Sequence, residues 1–306
     1  MQPVKRTKIG YFVLAGRRGA TIHGAVRVLN VGNRKGSASL YAVDGTTGQT
    51  SGAVYRSRQQ KRKGVGAWLR LSKTRVTLAP GAMKSIPFTV RVPSKASAGQ
   101  HLGGIVVQAS APQSKTVGKT RRSSFRIKIQ ELSVVAVQVK LPGRRVVKMA
   151  ITSLRPSAIP GHQDLLIGLS NLGNVLLKGK GSLTVVDSSG KRLKHRAFPL
   201  DTFVPHTHID FPVYTAGKAL PVGSYEGTVA ITYRGHRLVR TFLFKITAAD
   251  NKQVFGSPAV QAIASSNSNT LLYALLGGGV LLLAAIAFGL YRFLWTEGYI
   301  KGWRRL

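Results

Sequence analysis

One phrase occurs twice in this chain, and the repeat leaves it little choice of fold. Residues 29 to 48 read "LNVGNRKGSASLYAVDGTTG", and residues 170 to 190 read "SNLGNVLLKGKGSLTVVDSSG". Each copy runs an apolar alternation into Asn-x-Gly-Asn, Asn30 to Asn33 and Asn171 to Asn174. Each then climbs through Ser39 to Val43, or Ser182 to Val186, to an Asp. Alternation of period two, broken by Asn and Gly, is the pattern of strand, turn and strand. Gly32 and Gly173 can supply positive φ, and the Asn side chains can bond nearby backbone. Asp44-Gly-Thr-Thr-Gly and Asp187-Ser-Ser-Gly then close the next hairpin in each copy.

The parallel runs on beyond the phrase. "VTLAPGAMKSIPFTV" at 76 to 90 is answered by "FVPHTHIDFPV" at 203 to 213, and "AGQHLGGIVV" at 98 to 107 by "VGSYEGTVAI" at 222 to 231. A chain of 306 residues can hold two ordinary domains, each with its own core. Short alternating strands with turn signals between them predict an all-β fold: two tandem immunoglobulin-like β-sandwiches, residues 1–143 and 144–249, meeting near Leu141-Pro142-Gly143. No helix-period run appears before residue 271.

After the sandwiches the character of the chain changes. "LLYALLGGGVLLLAAIAFGL", Leu271 to Leu290, carries no charge over twenty residues, which as a helix spans about 30 Å, the thickness of a bilayer's hydrocarbon core. Tyr273, Tyr291 and Trp295 stand at its edges, and Arg292, Lys301, Arg304 and Arg305 follow it. That asymmetry predicts a single transmembrane helix at 271–291 with a cytoplasmic basic tail at 292–306. The sandwiches then lie outside, joined to the span by a polar stalk at 250–270. This orientation needs an export signal, and "MQPVKRTKIGYFVLAGRRG" has no apolar run of sufficient length, so a signal upstream of Met1 is expected. The alternative is a tail-anchored protein facing the cytosol.

Charge narrows the partner. Against 46 Lys and Arg stand 9 Asp and Glu, a formal +37. Such a field draws polyanions: phosphate polymers, nucleic acid or anionic lipid. Adaptation of an envelope protein to acid is the other reading, since few carboxylates leave little to protonate. Residues 1–143 hold 26 of the basic residues against Asp44 and Glu131, and 144–249 hold 15 against 5 acids. The first domain is therefore the better candidate for binding. The absence of cysteine excludes disulfides, zinc ribbons and thiol catalysis, and leaves the compartment open.

Tyr11 to Val107 carries a resemblance. Through the Asn-Gly turn, the Asp44 turn, Trp68, the Pro80-Gly81 before a strand and the Gly99-Gln-His-Leu-Gly-Gly run, it is similar to the peptidoglycan-binding domain of the WxL-interacting proteins, surface proteins of Gram-positive bacteria. The resemblance implies a sandwich that attaches to cell-wall glycan. Residues 144–249 resemble the family's partner-binding domain only loosely. A surface-protein partner for that half stays an open alternative.

The basic residues of the first domain cluster in "YRSRQQKRK" (55 to 63) and "KTVGKTRRSSFRIK" (115 to 128), each reading as a long hairpin loop. Arg56, Arg58, Lys61, Arg62, Lys63, Lys119, Arg121 and Arg122 are the candidate polyanion contacts, because guanidinium forks bond phosphate oxygens in pairs. Teichoic-acid-like polymer is a sensible ligand. Tyr55 and Trp68 are the aromatic candidates for stacking on a neutral glycan, and Trp68, just before "LRLS", reads equally as a core residue. Catalysis finds little support: the acids stand singly among turns, and His206-x-His208, on one strand face with Asp210, has no third ligand nearby. A non-enzymatic, membrane-anchored wall-binding protein without cofactor or metal is expected. Nucleic acid is the rival polyanion, but no helix-turn-helix, finger or RNA-binding sheet signature is present, and the span argues against it.

Overall fold

A computed structural model describes residues 2–3, 10–110, 113–119, 124–157, 162–214 and 219–255. The segments expected to be the polar stalk from 256 on, the membrane helix and the basic tail lie outside the described residues. Among the described residues no helix is long and apolar enough to cross a membrane.

In chain order the first half forms β1 (Gln2–Pro3), β2 (Phe12–Ala15), β3 (Thr21–Leu29), β4 (Gly36–Thr47), β5 (Ala53–Tyr55), the single turn α1 (Val65–Trp68), β6 (Leu69–Leu71), β7 (Arg75–Leu78) and β8 (Met83–Arg91). Then follow β9 (Gly99–Ala109), β10 (Gln113–Lys119), β11 (Ser124–Ile129) and β12 (Leu132–Leu141). One sheet has the order β1-β3-β8-β6 and the other β2-β12-β9-β4-β5, with β7 added to β4. Their inner faces meet in one core of Val26, Ile86, Phe88 and Val90 from the first sheet and Leu40, Ile105, Val137 and Val139 from the second. Pairing is antiparallel except where β2 runs parallel to β12. The N-terminal chain thus pairs first with β3, antiparallel, and then, as β2, with β12.

The second half forms β13 (Met149–Ser157), β14 (Asp164–Asn171), β15 (Leu177–Asp187), β16 (Arg192–Phe203), β17 (His208–Tyr214), β18 (Gly223–Tyr233) and β19 (His236–Ile246). These make the sheets β13-β14-β17 and β16-β15-β18-β19. Phe198 and Phe211 stack across them at 4.8 Å, and the Met149 N–H donates to the Tyr233 hydroxyl at 3.1 Å. Strands with one wet face alternate, as β17 does, whereas every residue of β14 is buried. That is why "DLLIGLSN" reads as a nearly continuous apolar run.

The repeated phrase has one structural meaning. Asn30 Oδ1 accepts the Gly32 N–H at 3.0 Å while its Nδ2 donates to the carbonyls of Arg34 and Leu78. Asn171 does the same, with Oδ1 accepting from Gly173 and Nδ2 donating to Val175 and Phe203. Each Asn folds a turn onto itself and ties it to a distant segment. Neither Gly32 nor Gly173 takes positive φ. The glycines serve closeness instead: a Cβ on Gly32 would stand 3.2 Å from Asn30 Oδ1, and one on Gly173 would collide with the Val146 carbonyl.

The described residues divide into two compact units, one drawn from Met1–Ser157, Asp164–Thr215 and Ser224–Lys245, the other from Ala158–Gln163, Ala216–Gly223 and residues 246–255. Within the second, the Gln163 amide brackets the Leu220 backbone, and α2 (Ala248–Phe255) occupies the start of the expected stalk. Thr247 begins that helix with reciprocal bonds: its N–H and hydroxyl donate to the Asp250 carboxylate, and the Asp250 N–H donates to Thr247 Oγ1 at 3.1 Å. The same bonds hold the Asp250 carboxyl below its usual value.

Candidate functional site

The site begins with a carboxylate. Asp44 lies inside β4, not in the hairpin turn that its Gly-Thr-Thr-Gly suggests, and is buried. Its oxygens accept backbone N–H groups of Lys63 at 2.6 Å, Gly64 at 3.0 and 3.1 Å, and Gly66 at 2.7 Å. The Arg56 N–H donates to the Asp44 carbonyl at 2.9 Å. One acid thus gathers both ends of the most basic loop in the domain. Its counterpart Asp187 stays in the hairpin, accepting from Ser189 and Lys191, and the Ser189 hydroxyl bond holds its carboxyl below the usual range.

The loop is a crossover, not a hairpin. It leaves β5 at the edge of one sheet and enters β6 in the other, because Val65 and Leu69 are fully buried in the core between them. Arg56, Arg58, Lys61, Arg62 and Lys63 are all exposed along it. Arg58 lies over the Tyr41 ring at 4.9 Å, and Arg62 Nη1 reaches the Gly66 carbonyl at 3.4 Å. The second basic stretch does form a hairpin, the β10-β11 ribbon. Lys119 ends β10, Arg121 and Arg122 lie outside the described residues, and the other five predicted contacts share the crossover.

The two aromatic candidates part company. Tyr55 is half-buried and lies over Gly104, whose absent side chain makes room: a Cβ there would stand 2.9 Å from the ring. Burial pushes the Tyr55 hydroxyl's pKa up, with Tyr11 adding to it. Trp68 ends α1, packs partly against the core, and sits 4.9 Å from the His101 ring. For Trp68 the core packing that the sequence allowed is present in part. Its remaining surface lines a cleft of about 380 Å³ with Lys63, Ala67, Arg70, Arg91 and Pro93. Burial lowers the His101 pKa, against a raising bond to the Ser97 carbonyl, and His206 lowers it further.

Arg70 and Arg91 were missed from sequence, though alternation could have found them. Leu69 and Leu71 flank Arg70, Val90 and Val92 flank Arg91, and register pairs Leu69 with Val90 and Arg70 with Thr89. Both arginines therefore project from the wet face of one sheet. Arg70 Nη1 is steadied by the carbonyls of Ala67 at 2.7 Å and Leu69 at 3.2 Å. Among the described residues none of Lys63, Arg70 and Arg91 is within ion-pair distance of a carboxylate. Three cationic side chains and one indole thus share the lining of a single cleft.

In the second half, His206 does not share a strand with His208. It occupies the turn before β17 with φ +57°. His208 Nδ1 is 2.9 Å from Ser170 Oγ, and its Nε2 is 3.8 Å from Asp210, whose other oxygen is held by Arg155 at 2.7 Å. Asp210 is committed to the arginine and too far from the imidazole for a hydrogen bond. Among the described residues no three His, Asp or Glu converge as metal ligands would.

The first half is thus a β-sandwich with a cleft lined by three cations and one indole. Residues 2–109 match the family model of the WxL Interacting Protein peptidoglycan binding domain, and this match supports cell-wall binding by that part of the chain. No curated protein matches the chain. Solved structures similar to it include the class 5 fimbriae chaperone CfaA, 16% identical, covering 75% of this chain and 95% of that one with a TM-score of 0.36. The CsuC–CsuE chaperone–tip adhesion complex of Acinetobacter baumannii is 10% identical over 76% of this chain and 94% of that one, TM-score 0.39. The Escherichia coli chaperone DraB is 14% identical over 78% and 96%, TM-score 0.33. Likenesses this distant carry no argument about ligand or partner.

Proposed function

We propose that the protein is a membrane-anchored surface component of a Gram-positive envelope. Its first sandwich holds cell-wall polymer without breaking bonds, and the protein as a whole serves as a scaffold or adhesion component. Both sandwiches are of immunoglobulin-like type, the C-terminal span crosses the membrane once, and the sandwiches face outward. The observation that carries the reading is the family match over residues 2–109. Support comes from the basic crossover, whose cations are exposed while Asp44, the acid at its base, is occupied by backbone N–H groups.

The test is retention of the protein on purified walls across a salt series, before and after extraction of teichoic acid. A variant with Arg56, Arg58, Lys61, Arg62, Lys63, Lys119, Arg121 and Arg122 changed to Ser or Gln runs alongside. Exposed charges are screened over about 10 Å at 0.1 M salt, so retention should fall steeply as salt rises and more steeply for the parent. Walls that fail to retain the parent at any salt overturn the reading. A variant retained like the parent assigns the excess charge to acid adaptation instead.

A further inference from the structure

In a chain of net charge +37, exposed cations by themselves say little. What sets the cleft beside Trp68 apart is that concavity, an aromatic surface and cations occur there together. Lys63 comes from the crossover, Arg70 from β6 and Arg91 from the end of β8, with Pro93 closing the rim. A volume of about 380 Å³ falls within the range of small-ligand sites, roughly 300–1,000 Å³. We infer that this cleft is the recognition subsite for a single sugar unit bearing an anionic group. The ring stacks on Trp68, and its carboxylate or phosphate lies among Lys63, Arg70 and Arg91. The inference rests on the wall-binding reading and names the unit that is read.

Each half of that chemistry excludes a simpler ligand. A neutral sugar could take hydrogen bonds from these cations but would leave their mutual repulsion in place, whereas an anion lowers it. A bare polyphosphate would gain nothing from an indole face. Arg70 is suited to the anion because the Ala67 and Leu69 carbonyls occupy Nη1 and fix the guanidinium plane, leaving its other donors to meet an oxyanion without further ordering. The position of Trp68 is likewise fixed, since the turn that bears it is anchored by Val65 in the core and by Asp44 through Gly66. The crossover cations then supply long-range attraction, and the cleft supplies selection.

The experiment is titration calorimetry of the full chain with two probes: N-acetylmuramic acid, a sugar ring carrying a carboxylate, and N-acetylglucosamine 1-phosphate, a sugar ring carrying a phosphate. The parent is compared with Arg70→Gln/Arg91→Gln, both exposed positions that leave the core untouched, and with Arg56→Gln/Arg58→Gln. The cleft variant should lose at least tenfold in affinity for one probe while the loop variant changes less than threefold. The probe affected tells whether the sugar's anionic group is a carboxylate or a phosphate. Equal affinity of the cleft variant and the parent for both probes overturns the cleft assignment, while wall retention of that variant shows that the wall-binding reading survives it. Loss of affinity for neutral chitin oligomer to the same extent would equally overturn the anionic assignment.

Discussion

At the scale of single residues, His101 joins two features that the sequence kept apart. It contacts Trp68 in one sandwich and feels His206 from the turn before β17 in the other. Burial lowers its pKa from 6.5, so the folded state binds fewer protons than the unfolded chain as pH falls through that value. The sign follows: stability is full above 6.5 and is lost progressively as pH drops below it. Protonated imidazole quenches a neighbouring indole, so Trp68 emission should fall with a midpoint below 6.5. The difference between the parent and His101→Gln isolates it from Trp295 and Trp303. A midpoint at or above 6.5 would refute the burial argument. His206 shows the other side of residue-level reading. Its φ of +57° matches the +68° of Gly81 at the equivalent place in the first copy. Both N–H groups donate to the repeat's Asn carbonyl, from Gly81 to Asn30 and from His206 to Asn171. Pro80-Gly81 and Pro205-His206 are one turn written in two ways, and only the glycine announces the left-handed backbone.

Elements were legible where alternation was strict and obscure where a single side chain reached across them. The two-sheet character of both halves followed from period-two patterns such as those of β7, β8 and β17, since a one-residue slip would turn a whole core face to water. The path of the basic crossover was not legible, because Val65 and Leu69 bury in a segment whose composition is otherwise that of a loop. Asp44 misled for a related reason: Asp before Gly signals a turn, and only the fold shows Lys63, Gly64 and Gly66 delivering N–H groups to it nineteen to twenty-two residues later. Alternation marks Arg70 and Arg91 singly as outward-facing, but their meeting at one rim depends on the β6–β8 register, which one sequence does not contain. Asp44→Asn raises the net charge by one yet replaces one accepting oxygen with an N–H₂ that faces donors. It should cost about 3 kcal/mol by the scale of hydrogen bonds to charged groups, read by thermal unfolding. It should also weaken wall retention despite the added positive charge. Retention that rises with the charge would mean that the loop's shape is irrelevant and only its field matters.

At the scale of the whole molecule, the repeat's last residue takes a different part in each copy. Asn33 is exposed, whereas Asn174 ties the two sandwiches and the segment between them. Its Nδ2 donates to the carbonyls of Ala98 and Arg144, its Oδ1 accepts the Val146 N–H at 2.7 Å, and its own carbonyl accepts from Gln100 at 2.8 Å. Gln100 Oε1 in turn accepts the Leu176 N–H at 2.6 Å. Gly99, at φ +116°, has room for no side chain against Asn174, and Gly143, at +137°, has none against Ala98. Away from this clasp, Thr47 Oγ1 meets Thr207 Oγ1 at 2.6 Å and accepts the Val204 N–H at 2.8 Å. Contacts of this kind couple two cores that could each unfold alone, so the parent should melt in one calorimetric transition. Asn174→Ala with Gln100→Ala removes the side-chain bonds, leaves both hydrophobic cores intact, and should resolve two transitions. Protease should then cut between Leu141 and Lys148, where the parent resists. Two transitions already present in the parent would mean that the clasp contributes nothing to cooperativity. Residues 1–143 and 144–249 would then be independent bodies on a string.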